Sequence, residues 1–212
     1  IGIQPDAILC RSDHEVTEDI TDKIVVHCDV AARGVITVPT VSSVYEVPLR
    51  LEEQGLGDLI VETLGIGTTG RDMAGWRQMV EMINTPKESL SIAVVGKYVD
   101  LHDSYISVKE ALLHAGLYHN RDIDVQWVPS EEVEQEGPDR FLNSARGIVI
   151  PGGFGPRGVE GMIETVKYAR DHEVPYLGLC LGMQVMVVES SRNKLGMRRA
   201  NSTEFDPNTP DP

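Results

Sequence analysis

Between residues 90 and 189, short apolar runs alternate with longer stretches of helical spacing, and this alternation limits the possible folds more than any other feature. Residues 91–95, 123–128, 147–150 and 174–179 are continuous and largely apolar, as strands buried on both faces must be. Residues 105–117, a broken stretch over 133–142, residues 160–171 and residues 183–189 carry helical spacing. Strands separated by helices of that length form a parallel sheet, because a parallel connection needs a crossover rather than a hairpin. The expected class is therefore α/β, a parallel sheet flanked by helices. Ligands of such sheets gather outside the carboxyl ends of the strands. Three loops meet there: Gly96-Lys-Tyr-Val-Asp-Leu-His-Asp103, Pro151-Gly-Gly-Phe-Gly-Pro-Arg-Gly158, and the turn that follows the fourth run.

That turn reads Gly178-Leu-Cys180-Leu-Gly182 and puts a cysteine where a strand passes sharply into a helix, a nucleophile elbow with sulfur in place of oxygen. Gly178 and Gly182 remove side chains that would clash in so tight a turn. The following helix points its N-terminal N–H groups at the thiol, which favours the reactive thiolate. A buried structural cysteine in a glycine-flanked turn is the other reading of these five residues. The glycine loop supplies what thiolate attack on a carbonyl needs: backbone N–H groups that stabilise the oxyanion. Gly153 and the amide of Leu181 are the candidate donors, and the loop's placement after a parallel strand favours this over a plain turn.

The chain before residue 90 is different. Residues 7–10 and 34–38 read as strands, 16–28 as a helix, and 43–54 as a helix with Pro48 in its first turn or breaking it. Two strands cannot form a covered parallel sheet. Residues 1–54 therefore read as the tail of a second α/β domain whose other strands precede Ile1, residues 55–89 as a glycine-rich linker with one helix over 73–83, and residues 90–212 as the second domain. Gly65-Ile-Gly67-Thr-Thr-Gly70 matches a dinucleotide fingerprint by letters but lacks the strand before it and the acidic residue within a βαβ unit that give the motif its meaning. Neither Ile1 nor the proline-rich stretch ending at Pro212 looks like a natural terminus, so a piece of a longer protein is expected.

Three cysteines form no paired framework or metal spacing, and no apolar run approaches the roughly 18 residues of a membrane span. A reducing, cytoplasmic setting and no membrane partner are expected. Nineteen Lys and Arg against 33 Asp and Glu leave a net charge of −14, which argues against a nucleic-acid partner. The acidity fits both an ordinary cytosolic enzyme and a protein kept soluble at high salt.

Several motifs occur together and in order. Pro151-Gly-Gly-Phe-Gly155 with Arg157-Gly158, Gly178-Leu-Cys-Leu-Gly-Met-Gln184 and Ala200-Asn-Ser-Thr-Glu-Phe205 resemble the class I glutamine amidotransferase domain, flavodoxin-like in fold, of the CTP synthase family. Gly96-Lys-Tyr98, Asp103-x-Tyr105-x-Ser107 and Glu110-Ala-Leu112 resemble that family specifically. Gly2-Ile-Gln-Pro-Asp6, Cys10-Arg-Ser-Asp13 and Tyr45-x-Val-Pro48 resemble the last segment of its P-loop-type amidoligase domain, so the resemblance covers essentially the whole chain. It implies a Cys180 nucleophile, oxyanion amides at Gly153 and Leu181, and a glutamine site formed by Gly153, Phe154, Leu181, Gly182, Met183, Gln184 and Glu204. It also implies nucleotide contacts at Arg11, Lys23, Pro39, Thr40 and Val41, and a lid containing Arg157. Without the resemblance, Glu204 reads as a solvated loop acid and Lys23 as an exposed helix lysine.

The implied parent enzyme makes CTP from UTP, ATP and ammonia released from glutamine, with Mg2+ as cofactor, GTP as activator and a homotetrameric assembly. The family's P-loop and magnesium carboxylates are expected upstream of Ile1, and the triad's His and Glu downstream of Pro212; no metal site is expected within the chain, and alone it should be inactive. Two other classes stay open at this stage: a different thiol hydrolase of similar fold, and a non-catalytic assembly module.

Overall fold

A computed structural model describes residues 2–67 and 70–212, which form two compact units, one up to Thr85 and one from Pro86. The first unit contains β1 (Ile8–Ser12), α1 (Glu18–Cys28), β2 (Val35–Pro39), α2 (Val47–Glu53), α3 (Leu56–Leu64) and α4 (Ala74–Asn84). β1 and β2 pair in parallel, Ile8 opposite Val35 through Ser12 opposite Pro39. The buried apolar residues of this unit are few: Val30, Val35, Ile36, Leu49, Leu59 and Val80. α1 buries none of its residues, and Ile20 and Val26 face solvent.

The segment expected to be a linker is largely helical. Gly55 and Gly65 flank α3 as its two caps, both in the left-handed region (φ 77° and 62°), where glycine avoids the Cβ penalty. Gly65 thus ends a helix, whereas the first glycine of a dinucleotide fingerprint leads into one. Thr68 and Thr69 of that six-residue match lie outside the described residues.

The second unit contains β3 (Ser89–Gly96), α5 (Ile106–Tyr118), β4 (Asp122–Pro129), α6 (Ser130–Glu136), α7 (Asp139–Leu142), β5 (Gly147–Ile150), α8 (Val159–Asp171), β6 (Tyr176–Gly178) and α9 (Leu181–Asn193). Its sheet runs β4-β3-β5-β6 and every pairing is parallel. Neighbouring residues on one strand point to opposite faces, and Ala93, Val94 and Val95 are all fully buried. Both faces of the central strands are therefore covered, as the unbroken apolar runs require. One core joins Ala93, Val95, Ile148 and Ile150 of the sheet to Val133, Leu142, Met162, Val166, Leu181 and Val185 of the helices. β6 stands at the sheet edge, where Leu177 is 53% exposed, and on α9 Met183 and Val187 are 53% and 57% exposed.

Candidate active site

β5 ends at Ile150 and β6 at Gly178, adjacent and in register, so the glycine loop and the cysteine turn leave the sheet side by side. Leu179 donates its N–H to the Ile150 carbonyl at 2.9 Å, which carries the pairing one residue further. Cys180 then breaks direction with φ 52° and ψ −101°, and α9 begins at the next residue. A non-glycine residue held there is strained, and such strain gathers at functional sites. The thiol is exposed.

The flanking glycines are dictated by contact. A Cβ on Gly178 would fall 2.4 Å from the Gly182 carbonyl carbon, and one on Gly182 would fall 2.1 Å from the Ile150 carbonyl oxygen. Tyr176 ties the same turn by donating its hydroxyl to the Gly182 carbonyl at 2.6 Å. Burial pushes the pKa of that phenol up, so it stays a donor.

The glycine loop lies against this elbow. A Cβ on Gly152 would touch the Cys180 Cβ at 3.8 Å, and one on the buried Gly153 would crowd the Leu181 side chain at 3.1 Å. Loop, Cys180 and Leu181 are thus packed as one group. Phe154 is 79% exposed, whereas Leu181 and Gly182 are buried.

Gln184, one turn into α9, has its Oε1 buried without a hydrogen-bond partner. Together with Met183, Val187, Asn201, Ser202 and Asp211 it lines a cavity of about 250 Å³. A buried acceptor left unpaired at a cavity wall is costly unless something occupies the cavity. Glu204 is exposed, and its backbone N–H donates to the Ser202 hydroxyl at 3.2 Å. Burial, and then the Arg157 charge, push the Lys97 ammonium's pKa down, and the Glu204 carboxylate opposes them only in part.

Lys97 and Tyr105 belong to the site although sequence reasoning assigned them no role. Lys97 is 5% exposed; its Nζ donates to the Phe154 carbonyl at 3.1 Å and to the Gly155 carbonyl. The Tyr105 hydroxyl donates to the Gly152 carbonyl at 3.3 Å. Both residues fall within family-like motifs, which was the available signal, but their burial and partners are tertiary facts. Arg157, expected in a lid, donates to the Lys97 carbonyl at 2.9 Å, pairs with Glu131 and lies over the Tyr98 ring. In this conformation it is an anchored residue.

Among the described residues no histidine is hydrogen-bonded to Cys180. His172 shares a hydrogen bond with the Tyr168 carbonyl at 3.0 Å and stacks on that ring, and His102 stacks on Trp127.

In the first unit, Arg11 sits opposite Val38, the Thr40 N–H donates to the Ser12 carbonyl at 2.9 Å, and the Thr40 hydroxyl bonds Asp13. Arg11, Pro39, Thr40 and the half-buried Val41 thus lie at or just past one end of the β1–β2 pair. A cavity of about 290 Å³ opens there, lined by Asp13, His14, Glu15, Val16, Thr37 and Pro39. Lys23 is not drawn into that group: it is exposed on α1 and pairs with Asp19 at 2.6 Å.

A cysteine on a strained elbow beside a glycine loop, at the ends of adjacent parallel strands, is the arrangement that thiol-dependent acyl transfer requires. The Glutamine amidotransferase class-I family model matches residues 100–205, and the chain belongs to that family. The CTP synthase N-terminus model matches residues 1–66. Over the whole chain the sequence is 54% identical to CTP synthase from Dehalococcoides mccartyi and from Chloroflexus aurantiacus. It is 52% identical to CTP synthase from Roseiflexus castenholzii. The chain spans 39% of the length of the first two relatives and 38% of the third. Among solved structures it resembles the glutaminase domain of Trypanosoma brucei CTPS with bound acivicin, at 40% identity and a TM-score of 0.54, covering 57% of this chain and 48% of that one.

Proposed function

We propose that this chain is the part of a glutamine-dependent CTP synthase in which the end of the amidoligase domain runs into the glutaminase domain. The observation that carries the proposal is the strained, exposed Cys180 packed against the Gly152-Gly153 loop. The thiolate Sγ of Cys180 attacks the side-chain amide carbon of glutamine, and the carbonyl oxygen becomes an anion that accepts hydrogen bonds from the Gly153 and Leu181 amides. Collapse of this intermediate breaks the C–N bond; the nitrogen leaves as ammonia with a proton from an imidazole acid, and a thioester remains. Water cleaves the thioester to glutamate and restores the thiol.

In the proposal Phe154, Gly182, Met183 and Gln184 surround the bound glutamine, the unpaired Gln184 carbonyl taking one of its donors, and Glu204 faces its ammonium group. Ammonia then passes to the amidoligase half. There ATP phosphorylates the 4-oxygen of UTP and ammonia displaces the phosphate. Arg11, Pro39, Thr40 and Val41 border the nucleotide, with Lys23 moving off Asp19 to reach its phosphates. Mg2+ belongs to this reading as the cofactor of the ATP-dependent step; among the described residues no three His, Cys, Asp or Glu side chains converge to hold a metal ion. GTP activation, a homotetramer and a cytoplasmic setting belong to the same reading.

The test uses a full-length protein that carries this sequence. Exposure to a diazo-ketone analogue of glutamine is expected to add one adduct at Cys180, and Cys180→Ala to abolish CTP formation from glutamine but not from ammonia. A protein that stays unlabelled while iodoacetamide still alkylates it, or that forms no CTP from UTP, ATP and ammonia, overturns the proposal.

A further inference from the structure

The oxyanion loop is held from behind. The carbonyls of Gly152, Phe154 and Gly155 each accept a hydrogen bond from a buried side chain of the segment between β3 and α5: Tyr105, the residue before α5, bonds the first, and Lys97, the residue after β3, bonds the other two. These side chains are themselves fixed. Tyr105 is packed so closely under the β3 terminus that a Cβ on Gly96 would fall 2.9 Å from its ring. The Lys97 stem runs along Gly153, where a Cβ would meet its Cδ at 3.4 Å, and its own carbonyl accepts from Arg157 at 2.9 Å.

The direction of these bonds matters for the N–H groups. In a trans peptide the carbonyl of one residue and the N–H of the next point opposite ways, so fixing the Gly152 carbonyl fixes the Gly153 N–H. β5, which delivers the loop, lies between β3 and β6 in the sheet. The Gly152 carbonyl is turned toward the β3 side, where Tyr105 sits. The Gly153 N–H consequently points away from Tyr105, and the Gly152 end of this peptide lies against Cys180, whose Cβ would be 3.8 Å from a Cβ placed on Gly152. Glycine has no Cβ to resist a peptide flip, and without an external hold this unit could present its carbonyl to the nucleophile instead.

We infer that Tyr105 and Lys97 are positioning residues that lock the Gly152–Gly153 peptide with its N–H facing Cys180, and so keep the oxyanion hole formed. The inference rests on the glutaminase reading of Cys180. Neither side chain touches substrate in this scheme; both act through the loop backbone. Tyr105 contributes a single hydroxyl bond to the Gly152 carbonyl, whereas Lys97 holds the Phe154 and Gly155 carbonyls further along, so the loop is pinned on both sides of Gly153 and cannot rotate as a unit.

The test compares Tyr105→Phe, Lys97→Met and Lys97→Arg in a full-length protein that carries this sequence. Tyr105→Phe removes one oxygen, and Lys97→Met keeps the stem while removing the donors. For both, kcat for glutamine hydrolysis is expected to fall by about 10²-fold, the scale of a misplaced catalytic geometry, with KM for glutamine little changed. CTP formation from ammonia and the iodoacetamide alkylation rate of Cys180, neither of which passes through an oxyanion, are expected to hold. Lys97→Arg, which can still donate to carbonyls, should recover part of the loss.

Glutamine hydrolysis by Tyr105→Phe and Lys97→Met within twofold of the parent overturns the inference. So does a loss shared equally by ammonia-dependent synthesis, which marks general damage to the fold. A parent that hydrolyses no glutamine overturns the proposed function itself, and the inference with it; the two failures are thereby distinct.

Discussion

At the scale of single residues, the elbow depends on atoms that are absent. Adding one methyl group at Gly182 would bring a carbon to 2.1 Å from the Ile150 carbonyl oxygen, the carbon fixed directly to one backbone and the oxygen part of another. Neither can rotate away, so strand and helix must separate. Overpacking of this kind costs about 1–3 kcal/mol or more. Gly182→Ala is therefore expected to lower the denaturant midpoint markedly, whereas Cys180→Ala, at an exposed side chain, should leave it nearly unchanged. Equal midpoints for the two variants would contradict this account. The turn that carries Cys180 was legible in the sequence because its spacing from the two glycines is local. Lys97 was not: a lysine after a strand reads as solvated, and only the fold brings two carbonyls to its ammonium group.

At the scale of elements, α8 carries an electrostatic weakness. The Glu164 carboxyl has its pKa raised, first by partial burial and then by Glu134 of α6 and by Glu160 one turn away. With the folded value above the unfolded one, the protonated state is favoured by folding, and that stability is present at low pH and lost as pH rises through the folded pKa. Glu164→Gln should thus stabilise the fold at pH 7 by roughly a few tenths of a kcal/mol, since the group is largely solvated, and so raise the melting temperature slightly. Near pH 3 the difference should vanish; a gain that persists there would assign the effect to packing. The strands and helices of the second unit were readable because continuous apolar runs and helical spacing are local signals, borne out by the family and the solved relative. α3 escaped because five glycines between positions 55 and 70 read as a linker, when Gly55 and Gly65 in fact cap a helix. The same residue type serves both ends, and only backbone angles separate the two.

At the scale of the whole molecule, burial is divided unequally. The second unit has a continuous core through sheet and helices, while the first has a two-stranded sheet and a helix with no buried residue. Sheets of two strands are marginal alone. Hydrogen exchange on this chain is expected to leave the amides of β3, β5 and α8 the slowest, with α1 and the β1–β2 pair exchanging far earlier. Uniform protection across both units would refute this. The exposed Leu177, Met183 and Val187 around β6 and α9 also set how the chain behaves as a solute. Copies carrying −14 repel one another over the Debye length, about 10 Å at 0.1 M salt, and this keeps their apolar surfaces apart. At 1 M salt that range shrinks to about 3 Å. Solutions that scatter little light in dilute buffer should therefore turn cloudy as sodium chloride is added, and clear again on dialysis.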